Sequence, residues 1–362
     1  MTNLDALLNL SIKGEIMQLS LLLQSVFYDR PRMIRQLRGR VKNEDDLHQF
    51  IQTLAQNDPF RSEAQLRMKR RYRMLDQMRR HHIQWVDIEH ASYPAQLHQL
   101  YDPPLGLFYK GKLVMNSTKC LGLVGSRKAS VMAPYRVESL MSVVSDYCIV
   151  SGGALGVDAL VHDHALSRKL PTIAVLASGL DQMVPQSNFS LFQRMIQSGY
   201  AGIVSECPPG VRPRPYFFPQ RNRIIAALST KLIVVEAAKR SGALITANLA
   251  LGMAADVAAM VGAFNSPQSE GCYQLMNDGA AVIGNHQDLC DFLDLSIPQN
   301  TTASSTSPYE HFLEDIPVEP IHIHDLAQRL SLSIDKLIEY VTVLSLNGDV
   351  IISSGQMVAK RA

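Results

Sequence analysis

The stretch VSGGALGVDALVH, residues 150–162, decides how this chain is to be read. An apolar run, CIV (148–150), leads into it. Small residues follow, then Asp158 and a helix-like pattern. Two adjacent glycines and a third at Gly156 stand where a strand hands over to a helix. Glycine there has two uses. It lets a phosphate approach the backbone, or it makes a tight turn with no room for a Cβ. The stretch alone leaves both uses open.

The same handover repeats on either side of it. CLGLVG (120–125) is strand-like, and APYRVESLMSVVSD, with Pro134 in its first turn, is helical. PTIAVLAS (171–178), AGIVSE (201–206), KLIVVEAA (231–238), DVAAMVGAF and AAVIG read as further strands. SNFSLFQRMIQSG, RNRIIAALST and SGALITANLALGMAA read as the helices between them. The strand runs are continuously apolar, so both sheet faces should be covered. The expected fold class is therefore α/β, a parallel sheet with helices on both sides, as in extended Rossmann-like domains.

The flanks differ in texture. Residues 1 to about 90 carry apolar residues at three- and four-residue spacing and read as helical. The segment 93–113 is rich in Pro and Tyr and ends in a short strand or hairpin. PQNTTASSTSP (298–308) is a polar linker. Beyond it, two helices are followed by DVIIS and QMVAK, joined at Ser354-Gly355, which is a winged-helix pattern. The expected domains are 1–92 (helical, SAM-like), 93–296 (Rossmann-like), 297–316 (linker) and 317–362 (winged helix).

Of 362 residues, 46% are hydrophobic and 19% charged, the balance of a soluble globular protein. No apolar run approaches the roughly 18 residues of a membrane helix. MTNLDALLNL has an early acid and no basic n-region, so no secretory signal is expected. Cys120, Cys148, Cys207, Cys272 and Cys290 are scattered without CxxC spacing, and read as reduced, mostly buried thiols of a cytoplasmic protein. His162 and His164, two apart on a helix, make a poor metal site and read as surface residues. No metal or cofactor is expected. The net charge is +2, yet Arg67, Lys69, Arg70, Arg71, Arg73, Arg79 and Arg80 lie together with Asp76 as the one opposing acid. Such a block is either a nucleic-acid footprint or a solvated helix face.

Four segments fall at predicted strand ends, where open α/β sheets bind ligands. In GLVGSRKAS, Gly125 permits a sharp turn, Ser126 can donate to a phosphate, and Arg127 can grip one bidentately. In SGGALGVD, Ser151, Gly152 and Gly153 precede a helix N-terminus, which favours an anion. SECPPGVRPRPYFFPQRNRIIAALS holds Arg212, Arg214, Arg221 and Arg223, with Asn222, among Tyr216, Phe217 and Phe218. Charge beside ring faces is what a nucleic-acid single strand needs. In VVEAAKRSGALITANLA, Glu236 ends a strand, and Ser241 and Gly242 precede a helix. The other uses of these residues are ordinary ones: loop packing for the aromatics, and salt bridges from Arg221 and Arg223 to Glu206 or Glu236.

Taken in order, GSR (125–127), SGGALGVD (151–158), SGLDQMVPQSNFSL (178–191), SECPPGVRP (205–213), FPQRNRIIAALS (218–229) and VVEAAKRSGALITA (234–247) resemble the DNA-processing protein A (DprA/Smf) family. The likeness runs over about residues 93–290. It departs at Val184-Pro185, where the family tends to have Tyr-Pro, and across LGMAAD and Val261-Gly262.

The resemblance implies a non-enzymatic, cytoplasmic protein with no catalytic residue. Such proteins bind and protect incoming single-stranded DNA and load a RecA-type recombinase during natural transformation, commonly as homodimers. It places Arg127, Arg221 and Arg223 in the family's basic pocket. With the strand-end segments, the DNA-contacting set is Gly125, Ser126, Arg127, Ser151, Gly152, Gly153, Arg212, Phe217, Arg221, Asn222, Arg223, Ser241 and Gly242. A second reading is a phosphoribohydrolase-like enzyme using Asp158, Glu206 or Glu236, although its PGGxGT-type loop is not found. A third is a duplex-DNA regulator acting through the winged helix, against which the acidic Asp335 and Glu339 weigh.

Overall fold

A computed structural model describes residues 13–37, 40–54, 58–115, 119–263, 266–295, 310–317, 319–347, 350–353 and 357–360. The linker 298–308, Gly348 and the Ser354-Gly355 turn lie outside the described residues. The chain forms two compact units, Met1–Leu295 and Ser296–Ala362.

Among the described residues, five helices open the first unit: α1 (Lys13–Phe27), α2 (Pro31–Leu37), α3 (Glu44–Thr53), α4 (Pro59–Lys69) and α5 (Arg71–Arg80). Asn43 caps α3 by accepting from the Asp46 amide, and Asp58 caps α4 by accepting from that of Phe60. The strand β1 (Gln84–Asp87) follows at once, inside the stretch read above as wholly helical. Its four residues are too few to break a helical pattern. Trp85 on β1 packs on Phe108 at a ring-centroid distance of 4.7 Å. Met74 and Met78 of α5 share that apolar cluster.

After β2 (Gly106–Gly111) the chain enters the repeated unit. It runs β3 (Lys119–Gly125), α6 (Ala133–Val143), β4 (Tyr147–Ser151), α7 (Val157–Ser167), β5 (Thr172–Leu176), α8 (Phe189–Gln197) and β6 (Ala201–Ser205). Then come α9 (Phe217–Leu228), β7 (Lys231–Glu236), α10 (Gly242–Leu251), β8 (Asp256–Met260), α11 (Glu270–Asn277), β9 (Ala281–Ile283) and α12 (His286–Phe292). The nine strands lie in the order β1-β2-β6-β5-β4-β3-β7-β8-β9. β3 to β9 are parallel, while β1 and β2 add an antiparallel edge.

Helices cover both faces, as continuous apolar strands require. Val124, Val150, Val175 and Val234 face α9, α10 and the N-terminal helices. Leu121, Leu123, Ile149 and Val235 face α6 and α7. From β3 the chain adds strands in one direction through β6, then crosses over to add β7, β8 and β9 on the other side. The switch lies between β3 and its neighbours β4 and β7. A crevice opens outside the carboxyl ends of the strands at such a point. Gly125, Ser151 and Glu236 are those ends.

The second unit runs α13 (Glu310–Asp315), β10 (Ile321–His322), α14 (Ile323–Arg329), α15 (Ile334–Asn347), β11 (Val350–Ser353) and β12 (Met357–Lys360). Its three-stranded sheet is ordered β10-β12-β11. This is the element order expected of a winged helix. Leu326, Leu337, Val341, Leu344 and Val358 form its own core.

Candidate single-strand site

The strand ends bring the predicted segments together but bury much of what was expected to face a ligand. Gly152 and Gly156 explain why. A Cβ on Gly152 would sit 2.6 Å from an Asp158 carboxylate oxygen and 2.8 Å from both terminal nitrogens of Arg221. Gly156 has φ +77°, and a Cβ there would lie 2.3 Å from the Ser126 carbonyl oxygen. Protein atoms, not a ligand, fill the space that glycine leaves open. Two amides of the stretch are engaged as well: Val157 N–H donates to the Ser126 carbonyl at 3.1 Å, and Ala154 N–H to Asp158 at 3.2 Å. The stretch that raised the question is therefore a packing joint between the β3 and β4 loops.

Arg221 is the bolt of that joint. It lies in α9, is 5% exposed, and donates to the carbonyls of Gly152 at 2.6 Å and of Val175. Burial pulls its pKa down to about 10. Asp158 opposes that shift, and the Arg127 charge adds to it. Burial likewise raises the pKa of Asp158 against the pull of Arg221. Asn222 continues the joint by donating to the Gly242 carbonyl at 3.4 Å. Asn188, from the SGLDQMVPQSNFSL segment, donates to the carbonyls of Gly153 at 3.1 Å and Ala154 at 3.0 Å. Nothing in its local spacing marks it for that role.

The remaining carboxylates are also committed. Glu206 accepts from Arg223 at 2.5 Å. Its pKa is pushed up to about 7 by burial, which outweighs the pull of the arginine; Asp102 adds to the rise. Glu236 is fully buried. It accepts from the Ser130 amide at 2.9 Å, from the Ser130 hydroxyl and from Arg136 at 3.0 Å, and so fixes the loop after β3. Arg223 thus takes the salt bridge to Glu206 that its sequence context left open, whereas Arg221 pairs with neither Glu206 nor Glu236 but bonds to backbone carbonyls with the Asp158 charge nearby.

Of the expected contact residues, Arg127, Arg212 and Gly242 are exposed, and Gly125 and Ser241 are half-buried. Ser126, Ser151, Gly152, Gly153, Phe217, Arg221, Asn222 and Arg223 are buried. These eight, expected to contact DNA, lie inside the protein in this structure. Ser126 closes its own turn, with its hydroxyl 3.1 Å from the Lys128 amide that donates to it. Ser241 caps α10 by accepting from the Ala243 amide at 3.2 Å. Phe217 is 1% exposed and lies 5.7 Å from Tyr28, so its ring is core, whereas Tyr216 beside it is 47% exposed. His162 is corrected too. It is fully buried against the Thr172 hydroxyl at 2.7 Å, and its pKa is pushed down to about 3 by burial and then by the Arg221 charge.

What remains outside is cationic. Arg127 extends over the Phe218 ring at 4.9 Å. Lys128 follows it, and Lys239 and Arg240 leave the adjacent end of β7, all exposed. These last three were present in the quoted segments, yet only strand order shows that they leave neighbouring strand ends with Arg127. None of the four has a carboxylate partner among the described residues. All five cysteines are buried, and none forms a disulfide. Among the described residues no cluster of His, Cys, Asp and Glu could hold a metal ion, and no helix is long and apolar enough to cross a membrane.

A doubly wound, largely parallel sheet with exposed basic residues beside its switch point defines a class: a Rossmann-like protein. Comparison with known proteins narrows it. Residues 84–294 match the family described as DNA recombination-mediator protein A, and the chain belongs to that family. It is 39% identical over 198 residues to the DNA processing protein DprA of Streptococcus pneumoniae, covering 54% of this chain and 70% of that one. It is 32% identical over 281 residues to the protein Smf of Escherichia coli, covering 74% of each. The X-ray structure of DprA from Streptococcus pneumoniae superposes with a TM-score of 0.63 at 28% identity, over 76% of this chain and 97% of that one. A structure of DNA processing protein A from Helicobacter pylori, whose subject is its single-stranded DNA binding mode, gives 0.53 at 28% identity, over 60% and 99%.

Proposed function

We propose that this chain binds single-stranded DNA along the carboxyl edge of β3 and β7, protects it, and passes it to a RecA-type recombinase during DNA uptake. The observation that carries the reading is the basic rim. Arg127, Lys128, Lys239 and Arg240 stand beside the switch point with no carboxylate partner among the described residues, so their charge is available to phosphates. Arg212 joins them from the loop before α9. Exposed Tyr216 and half-buried Phe218 offer ring faces for bases, a sequence-tolerant contact worth about 1–3 kcal/mol per base. Arg221, Arg223 and Asn222 act one step back by holding the loops that carry the rim. The protein acts as a homodimer in this reading and has no catalytic residue. Asp158, Glu206 and Glu236, the acids an enzymatic alternative would use, are all turned to internal partners.

Fluorescence anisotropy with a labelled oligo-dT strand and its matched duplex, across a salt series, tests this. The expected result is preference for the single strand, with a log–log salt slope of about −0.7 for each phosphate neutralised. Equal binding of both forms, or none, overturns the reading. Adding the recombinase then shows whether filament assembly on the bound strand is faster, and light scattering reads the dimer.

A further inference from the structure

The basic block that the sequence left undecided does not simply face solvent. Arg70, at the junction of α4 and α5, and Arg73, on α5, are exposed. They line a groove of about 410 Å³ whose other wall is the loop Pro208–Arg214. That loop contributes Arg212 and Arg214, also exposed. Four guanidinium groups therefore converge from two separate parts of the chain. None of them has a carboxylate partner among the described residues. The groove's one acid, Glu63, is already held by Arg67 at 2.6 Å, and Arg67 is held again by Asp29 at 2.7 Å. The walls are fixed. The Gly210 amide donates to Asp181 at 2.8 Å, and Gln77 of α5 reaches the same carboxylate at 3.5 Å.

The groove also adjoins the site already described. Arg127 lies over Phe218, the preceding residue Phe217 packs on Tyr28, and Tyr28 lies under Arg67 at 4.4 Å. Arg212 belongs to the proposed rim and to the groove wall at once. Resting on the single-strand reading above, we propose that the groove is a second phosphate track. A single DNA strand leaving the carboxyl edge continues past Arg212 between Arg70 and Arg73 of the N-terminal helices and Arg214 of the loop. These cations, without carboxylate partners among the described residues, suit a flexible polyanion, and the exposed Leu66 and Tyr216, whose hydroxyl accepts from Arg214 at 3.1 Å, suit bases.

The test uses the full chain and oligo-dT of about 6 and about 20 nucleotides, bracketing the roughly 4 to 16 that a single-strand module covers. Wild type, Arg70→Ala/Arg73→Ala and Arg70→Lys/Arg73→Lys are titrated across a salt series, with thermal unfolding confirming that each is folded. The alanine pair is expected to bind the short strand as wild type does. On the long strand its salt slope should be shallower by about 1.4, two phosphates at 0.7 each. The lysine pair should keep the wild-type slope. An unchanged long-strand slope in the alanine pair overturns the track and leaves the block a solvated helix face. Equal losses on both strands also overturn it, because the groove would then not be an extension. Wild type binding neither strand fails the single-strand reading itself, and the track with it. Binding of an acidic protein without DNA would assign the groove elsewhere.

Discussion

Arg221 and Arg127 stand on opposite sides of one joint and do opposite work. Arg221 is buried, gives its hydrogen bonds to two backbone carbonyls and faces Asp158. Arg127 is exposed, lies over an aromatic ring and has no carboxylate partner among the described residues. The same side chain builds the crevice in one place and lends it charge in the other. Burial decides which. A guanidinium removed from water must be met by carbonyls or a carboxylate, and is then no longer available to a ligand.

Removing the two arginines in turn is the sharpest way to break this contrast. Arg221→Ala should cost about 3–5 kcal/mol, because it strands Asp158 inside the protein. Chemical denaturation would read it, and a change under about 1 kcal/mol would mean that the joint relaxes around the gap. Gly156→Ala asks whether the joint is as tight as its carbonyl contact indicates. The added Cβ and the left-handed backbone together should cost roughly 1–3 kcal/mol, with no change in DNA salt slope if the fold is kept.

Buried titrating groups give a smaller, pH-dependent signature. Glu206 is raised from 4.5 to about 7 in the fold. The native state therefore holds a proton that the unfolded chain has lost, and stability falls as pH rises from about 4.5 to about 7. His162 is lowered from 6.5 to about 3. Its contribution is fully present above 6.5 and is lost as pH falls toward 3. The two trends oppose each other between 4.5 and 6.5. Unfolding midpoints measured across pH 4 to 8 should separate them: Glu206→Gln removes the first slope and His162→Gln the second. Smallest of all in stability is Arg127→Ala, expected within about 0.5 kcal/mol of wild type. Its effect should appear instead in the DNA salt slope, shallower by about 0.7. If Arg127→Ala destabilised the protein as much as Arg221→Ala, the division of labour would be wrong.

The fold was legible because its signal is repetitive. Strands such as CLGLVG and AGIVSE are apolar on both faces, and helices with ordinary start and stop signals separate them. The strand β1 escaped because four residues, QWVD, carry no period long enough to stand out beside α5. The candidate site was legible as a set of segments, not as a set of surfaces. Spacing cannot tell that Arg221 and Arg223, two apart in α9, both turn inward while Arg212 and Arg214 stay out. That depends on Asp158 and Glu206 arriving from β4 and β6. The glycines misled for the same reason. A missing Cβ is recorded in sequence, but whether a phosphate or an arginine fills the space is decided by residues about 70 positions away. Lys128, Lys239 and Arg240 became candidates only when β3 and β7 proved to be neighbours.

The packing of Trp85 on Phe108 has a practical side. It is the chain's single tryptophan, set on the antiparallel edge among Met74 and Met78 of α5. Five strand spacings separate β1 from β3, about 24 Å at the usual interval. Intrinsic fluorescence in this protein is thus a local gauge of how α5 sits on the sheet. It reads the groove side of the molecule and not the crevice at the switch point, without any label being attached.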